Sequence, residues 1–95
     1  KSCQNHDGGI DIRATKVLDN GEIEYLLAQC KHWKKPIPPG EMRDFKASCD
    51  EEQSEYKKVK IFITSSRFSS GARKYAEKFN IELIDGDVLL NDKKI

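Results

Sequence analysis

The sequence predicts a mixed α/β sheet in which a β-hairpin is followed by helix, strand, helix and strand. Three observations carry this expectation. Asp19-Asn20-Gly21 is a tight-turn signal set between two strand-like runs. Val59–Thr64 is β-branched and almost continuously apolar, as in a strand buried inside a sheet. Ala72, Tyr75, Ala76 and Phe79 recur at i, i+3, i+4 and i+7, which makes a helix between two strands, and such alternation favours parallel pairing through right-handed crossovers.

Taken in order, Gly8-Gly9 supplies a flexible entry to a first strand over Ile10–Thr15. After the turn, where Asn-Gly favours positive φ, Ile23–Lys31 is the second strand and completes an antiparallel hairpin. Pro36, Pro38, Pro39 and Gly40 interrupt regular structure, and Pro38 or Pro39 suits the first turn of a helix. That helix has a narrow apolar stripe, Met42, Phe45 and Cys49, which should pack on the sheet. Val59–Thr64 follows, then a helix capped by Ser69 and ended by Asn80 in the left-handed conformation. Its Arg73, Lys74, Glu77 and Lys78 face outward. A strand Ile81–Ile84 and a last turn at Asp87–Leu90 close the domain.

With 95 residues the chain has room for a single core, so residues 1–95 read as one domain. It starts at Lys1 and its one methionine is Met42, so it reads as a piece of a longer protein. No run approaches the length of a bilayer span, and Lys1–Asp7 lacks signal-peptide character, so a membrane partner is not expected. Three cysteines, Cys3, Cys30 and Cys49, make an odd set and point to a reducing intracellular compartment, the cytoplasm first and a nucleus or organelle matrix next. The net charge of +1 decides nothing about nucleic acid, but its distribution is uneven. Residues 41–56 hold six acids against two bases; residues 57–78 hold seven bases against one acid. On charge alone, two solvated helix faces explain this best.

The candidate site begins with Asp11, set between two isoleucines in a strand, where a carboxylate needs a cleft or a partner. Gln29 and Lys31 stand two apart in the neighbouring strand, so both side chains point to one face and Cys30 to the other. The hairpin register brings Asp11 to that same face. A carboxylate, an amide oxygen and an ammonium suit a hard divalent cation and a phosphate substrate. Asp11 and Gln29 then serve as ligands, while Lys31, which cannot bind metal when protonated, orients the attacking water and offsets developing charge.

These residues resemble a known family. Gly8-Gly9-Ile10-Asp11-Ile12 followed by Gln29-Cys30-Lys31-His32-Trp33 is similar to the PD-(D/E)XK nucleases, specifically the Mrr-like restriction endonucleases with a D…QxK motif. Phe62–Ser66 with Phe68 and Ala72, and Ile81–Gly86 with Leu89, extend the likeness over Gly8–Leu90. An isolated D…QxK is common by chance, whereas the ordered series of segments is not. The resemblance implies a restriction-endonuclease-like fold. It also implies DNA cleavage with Mg²⁺ or Mn²⁺ held by Asp11, Gln29 and the backbone carbonyl of Cys30, often in restriction of foreign or modified DNA.

The family's usual N-terminal helix has no counterpart before Lys1, and the acidic stretch Asp50–Glu55 would repel phosphates. Gln29 in place of an acid lowers the negative charge for Mg²⁺, so substrate phosphate is expected to complete the coordination. Lys34 and Lys35 beside Trp33, and Arg67 and Arg73 near the end of the parallel strands, are the candidate DNA contacts. Trp33 itself suits packing.

Rival readings are weaker. Cys3-x-x-His6 with Cys30-x-His32 carries zinc-type ligands, but the spacing matches no common zinc module. Gly8-Gly9 lacks the spacing of a phosphate loop and precedes a strand, not a helix. The main alternative function is a nuclease-fold module that binds DNA or assembles with protein without cutting. A homodimer or further domains of a parent chain are the other partners expected.

Overall fold

The computed structural model describes residues 9–88, so Cys3, His6, Gly8, Leu89 and Leu90 lie outside the described residues. The elements are β1 (Ile12–Val17), β2 (Ile23–Lys31), α1 (Pro39–Glu51), β3 (Lys57–Thr64), α2 (Ser70–Phe79) and β4 (Ile81–Ile84). They form a four-stranded sheet ordered β1-β2-β3-β4, with β1 antiparallel to β2 and the other neighbours parallel. This is the mixed sheet expected of a restriction-endonuclease-like fold.

Two details of the hairpin differ from expectation. Of the turn residues only Gly21 takes a positive φ, 90°, because the loop spans three residues closed by Leu18 N donating to Glu22 O at 2.7 Å. Asn20 instead uses its side chain, whose Oδ1 accepts from Glu22 N at 3.0 Å. The first strand runs Ile12–Val17, two residues later than the apolar Ile10-Asp11-Ile12 triplet suggested, since pairing with β2 continues up to the turn. β1 is exposed along its whole length, an edge strand whose Arg13 and Lys16 discourage further strand addition.

The core lies between one sheet face and both helices. Leu27, Phe62 and Ile81 of the strands meet Met42, Phe45 and Cys49 of α1 and Ala72 and Ala76 of α2. Phe62 packs edge-on against Phe45 and Phe68, with ring centroids 5.5 and 5.6 Å away. Truncating such a fully buried ring costs about 3–5 kcal/mol. α2 is terminated as its sequence predicts: Ser69 Oγ accepts from Ala72 N at 3.1 Å, and Asn80 sits at φ 57°, ψ 48°. α1 has no side-chain N-cap, but its C-terminal carbonyls are met by Lys58, whose Nζ donates to Cys49 O and Glu52 O at 2.9 Å each.

The loops at the carboxyl ends of β2 and β3 are stitched together by Ile37 N donating to Arg67 O (2.8 Å) and Ser69 N donating to Ile37 O (3.0 Å). Ile37 and Phe68 are both buried beneath this bridge. α2 approaches α1 so closely that a Cβ on Gly71 would lie 2.7 Å from Pro39 Cγ. These contacts give the carboxyl edge of the sheet a fixed rim. The segment 86–88 forms a helical turn where the sequence suggested a turn at Asp87–Leu90.

Candidate active site

Asp11 lies just ahead of β1, whose first pair is Ile12 with Ala28, so the next position along β2 opposite Asp11 is Gln29. The antiparallel hairpin therefore brings the start of the first strand to the end of the second. Asp11 N donates to Ala28 O at 2.9 Å, and Asp11 Oδ2 accepts from Cys30 N at 2.8 Å. The carboxylate is thus bound to the backbone segment that carries Gln29 and Lys31. This is the juxtaposition expected from strand periodicity and register.

Gln29 and Lys31 alternate with Cys30 and lie on the helix-covered face, in register with Phe62 and Thr64 of β3. Gln29 is fully buried and Lys31 is 2% exposed, an unusual place for an ammonium. Its charge is met by Glu41 in the first turn of α1, with Lys31 Nζ 3.3 Å from Glu41 Oε1. It also lies 5.5 Å from the centroid of the Trp33 ring, within range of a cation–π contact. Trp33 is half-buried and packs against the core, as its residue type suggested.

Beyond β2 and β3 the rim is polar. His32 Nδ1 and Ser65 Oγ are 3.0 Å apart, Ser65 N donates to Lys31 O at 3.3 Å, and Ser66 Oγ donates to Lys35 O at 2.8 Å. Thr64 Oγ1 accepts from Ser66 N at 3.1 Å, and the Arg67 amide is held by Ser66 Oγ. A Cβ on Gly86 would lie 2.5 Å from Ser65 O, so only glycine fits where the loop after β4 meets the loop after β3. Of the candidate DNA contacts, Lys34, Lys35 and Arg67 are exposed on this rim. Arg73 is exposed too, but its guanidinium pairs with Asp85 at 3.2 Å.

The place of Glu41, Ser65 and Thr64 at this edge escaped the sequence reading, which took Thr64 and Ser65 only as part of a strand and loop and Glu41 as one acid of a charged stretch. Nothing in their spacing ties them to Asp11 or Lys31; they arrive through packing of α1 and through parallel pairing of β2 with β3. The available signal was an acid in the first turn of the helix that follows the Gln-x-Lys strand.

The acidic stretch is also more specific than a solvated face. Glu52 accepts from Arg13 Nη2 and from Tyr25 OH, both at 2.9 Å, and these two hydrogen bonds hold its carboxyl below the usual range. Asp50 is likewise lowered by Lys46, 2.6 Å away. Burial pushes the Cys49 thiol up to about 11. These groups lie toward the C-terminal end of α1, away from the Asp11 edge.

Among the described residues no cluster of three or more His, Cys, Asp or Glu side chains forms a metal site. Of the residues expected to hold a metal, Asp11 supplies a carboxylate, Gln29 an amide and Cys30 a backbone carbonyl, oxygen donors whose chemistry suits a hard divalent ion, with Gln29 fully buried. No described helix is long and apolar enough to cross a membrane.

Comparison with known proteins agrees with the motif. Residues 1–91 match the restriction endonuclease family model built on the Mrr catalytic domain. The chain is 31% identical over 86 residues to the type IV methyl-directed restriction enzyme EcoKMrr of Escherichia coli strain K12. That match covers 90% of this chain and 27% of the relative, so the chain spans about a quarter of that protein's length. No solved structure matches the chain significantly.

Proposed function

The chain belongs to the Mrr-type restriction endonuclease family, and on that premise we propose that it hydrolyses phosphodiester bonds of DNA at Asp11, Gln29 and Lys31. The observation that carries this reading is the 2.8 Å hydrogen bond from Cys30 N to Asp11 Oδ2, which joins the carboxylate to the strand bearing the other two. Asp11, Gln29 and the Cys30 carbonyl would hold Mg²⁺ or Mn²⁺. When bound, the cation supplies Lewis-acid polarisation of the scissile phosphate.

The chain's own residues do the rest. Lys31, buried beside Glu41, would donate to a water or a non-bridging phosphate oxygen brought to its ammonium and offset charge as the phosphorus centre becomes crowded. Burial of its stem removes competing solvent conformers, so the donor is preorganised. Lys34, Lys35 and Arg67 on the rim contact the DNA backbone and align it without reading sequence. The acids of residues 50–55 keep phosphates from the far end of the sheet. Since the relative is described as methyl-directed, we extend to this chain a role in restricting foreign or modified DNA.

The test is incubation of the intact protein with supercoiled plasmid in Mg²⁺ or Mn²⁺, with chelator controls. Metal-dependent nicking that disappears in Asp11→Ala and Lys31→Ala supports the assignment. Salt-sensitive binding with no cleavage would instead favour a module that holds DNA without cutting it.

A further inference from the structure

We infer that Glu41 is a positioning residue of this site: its carboxylate holds the Lys31 ammonium in the place from which it serves hydrolysis. The inference rests on the nuclease reading above and adds a fourth member that neither the motif nor the family match assigns.

A lysine ammonium sits on a flexible four-carbon stem, and its position is set by whatever it bonds. Lys31 is 2% exposed and its Nζ lies 3.3 Å from Glu41 Oε1, while the Glu41 side chain is 18% exposed. Glu41 Oε1 is itself buried and makes no hydrogen bond among the described residues, and the Lys31 ammonium is the charge beside it. An anion here is favoured twice, by the adjacent ammonium and by the positive end of the α1 dipole.

The mounting of Glu41 is what makes it a holder and not a passing partner. Glu41 N donates to Pro38 O at 3.2 Å, and the next residue, Met42, is fully buried in the core. Ahead of it, Ile37 is fully buried and bridged to the loop after β3, and Pro39 is pressed against Gly71 of α2. The first turn of α1 is therefore fixed to three other parts of the domain. A carboxylate on such an element keeps a fixed negative charge beside the ammonium and so limits where it can sit. Glu41 also returns to the site the negative charge that Gln29 lacks.

Glu41→Gln keeps size and an acceptor oxygen but removes the charge. In the intact protein it should lower kcat for DNA cleavage by about 10- to 100-fold, with KM for DNA within about twofold. Glu41→Asp, charged but shorter, should recover part of the loss and serves in its place if Glu41→Gln does not fold. A second readout needs no activity: the ¹⁵N-edited NMR signal of the Lys31 ammonium should be protected from water exchange in the wild type and broadened in Glu41→Gln. An unchanged kcat in Glu41→Gln or an unchanged ammonium signal would each overturn the inference. A wild type that never cleaves DNA would defeat the nuclease reading, while the NMR comparison would still decide whether Glu41 holds Lys31.

Discussion

One pair of substitutions separates the structural role of Asp11 from the metal-binding role proposed for it. As scaffold, its Oδ2 accepts from Cys30 N at 2.8 Å. A hydrogen bond to a charged partner contributes about 1.5–3 kcal/mol when buried; Asp11 is half-buried, which reduces the expectation to about 1–2 kcal/mol. Asp11→Ala removes that acceptor and should lose this amount in urea denaturation. Asp11→Asn keeps an acceptor of the same reach and should lose less than about 0.5 kcal/mol. The proposed metal-binding role, however, needs the carboxylate charge. Mg²⁺ at tenfold above its Kd should stabilise the wild type by about 1.4 kcal/mol and leave both variants unmoved. Both variants should be inactive in cleavage. Asp11→Asn as unstable as Asp11→Ala, or an Asp11→Asn protein that keeps the Mg²⁺ shift and the activity, would refute the division of roles.

Three further outcomes follow from particular contacts. Ser69→Ala removes the acceptor for Ala72 N and should cost about 1 kcal/mol, read as a lowered urea midpoint at constant slope. Gly86→Ala places a methyl group 2.5 Å from Ser65 O, so it should destabilise by about 1–3 kcal/mol and also slow cleavage, because Ser65 N is bonded to Lys31 O. The buried Cys49 thiol ionises only near 11, against 9.0 for an ordinary one. Its contribution is complete below pH 9 and is lost as pH rises through that window, because the unfolded chain releases its proton first. The two-unit gap is worth about 3 kcal/mol above pH 11, and Cys49→Ala should lack this part of the alkaline loss.

Much of the fold was legible because its signals are local. The Ser69 cap and Asn80 terminator bracket α2 with no help from tertiary contacts, and Gly21 marks the hairpin. That Asp11 lies against the end of the strand carrying Gln29 and Lys31 was legible as well, since a hairpin with a short loop fixes register and the period of two fixes the face. What stayed hidden is non-local. Glu41 looked like one more acid of a solvated stretch, and only the docking of α1 over the sheet brings it to Lys31. Glu52 was read the same way, yet it binds Arg13 and Tyr25 of the hairpin, and Lys58, read as surface charge, caps α1. Charge counts along a chain cannot separate a solvated side chain from one whose partner lies on another element.

Asp11, Gln29 and Lys31 are proposed as a metal-dependent hydrolytic site. Its most direct test is single-turnover cleavage of an end-labelled DNA duplex by excess intact protein across a Mg²⁺ titration, with Lys31→Ala alongside. The rate of product formation should rise and saturate with Mg²⁺ in the wild type and stay at background in Lys31→Ala. Equal rates in the two proteins, or product formed equally well in chelator, would contradict it.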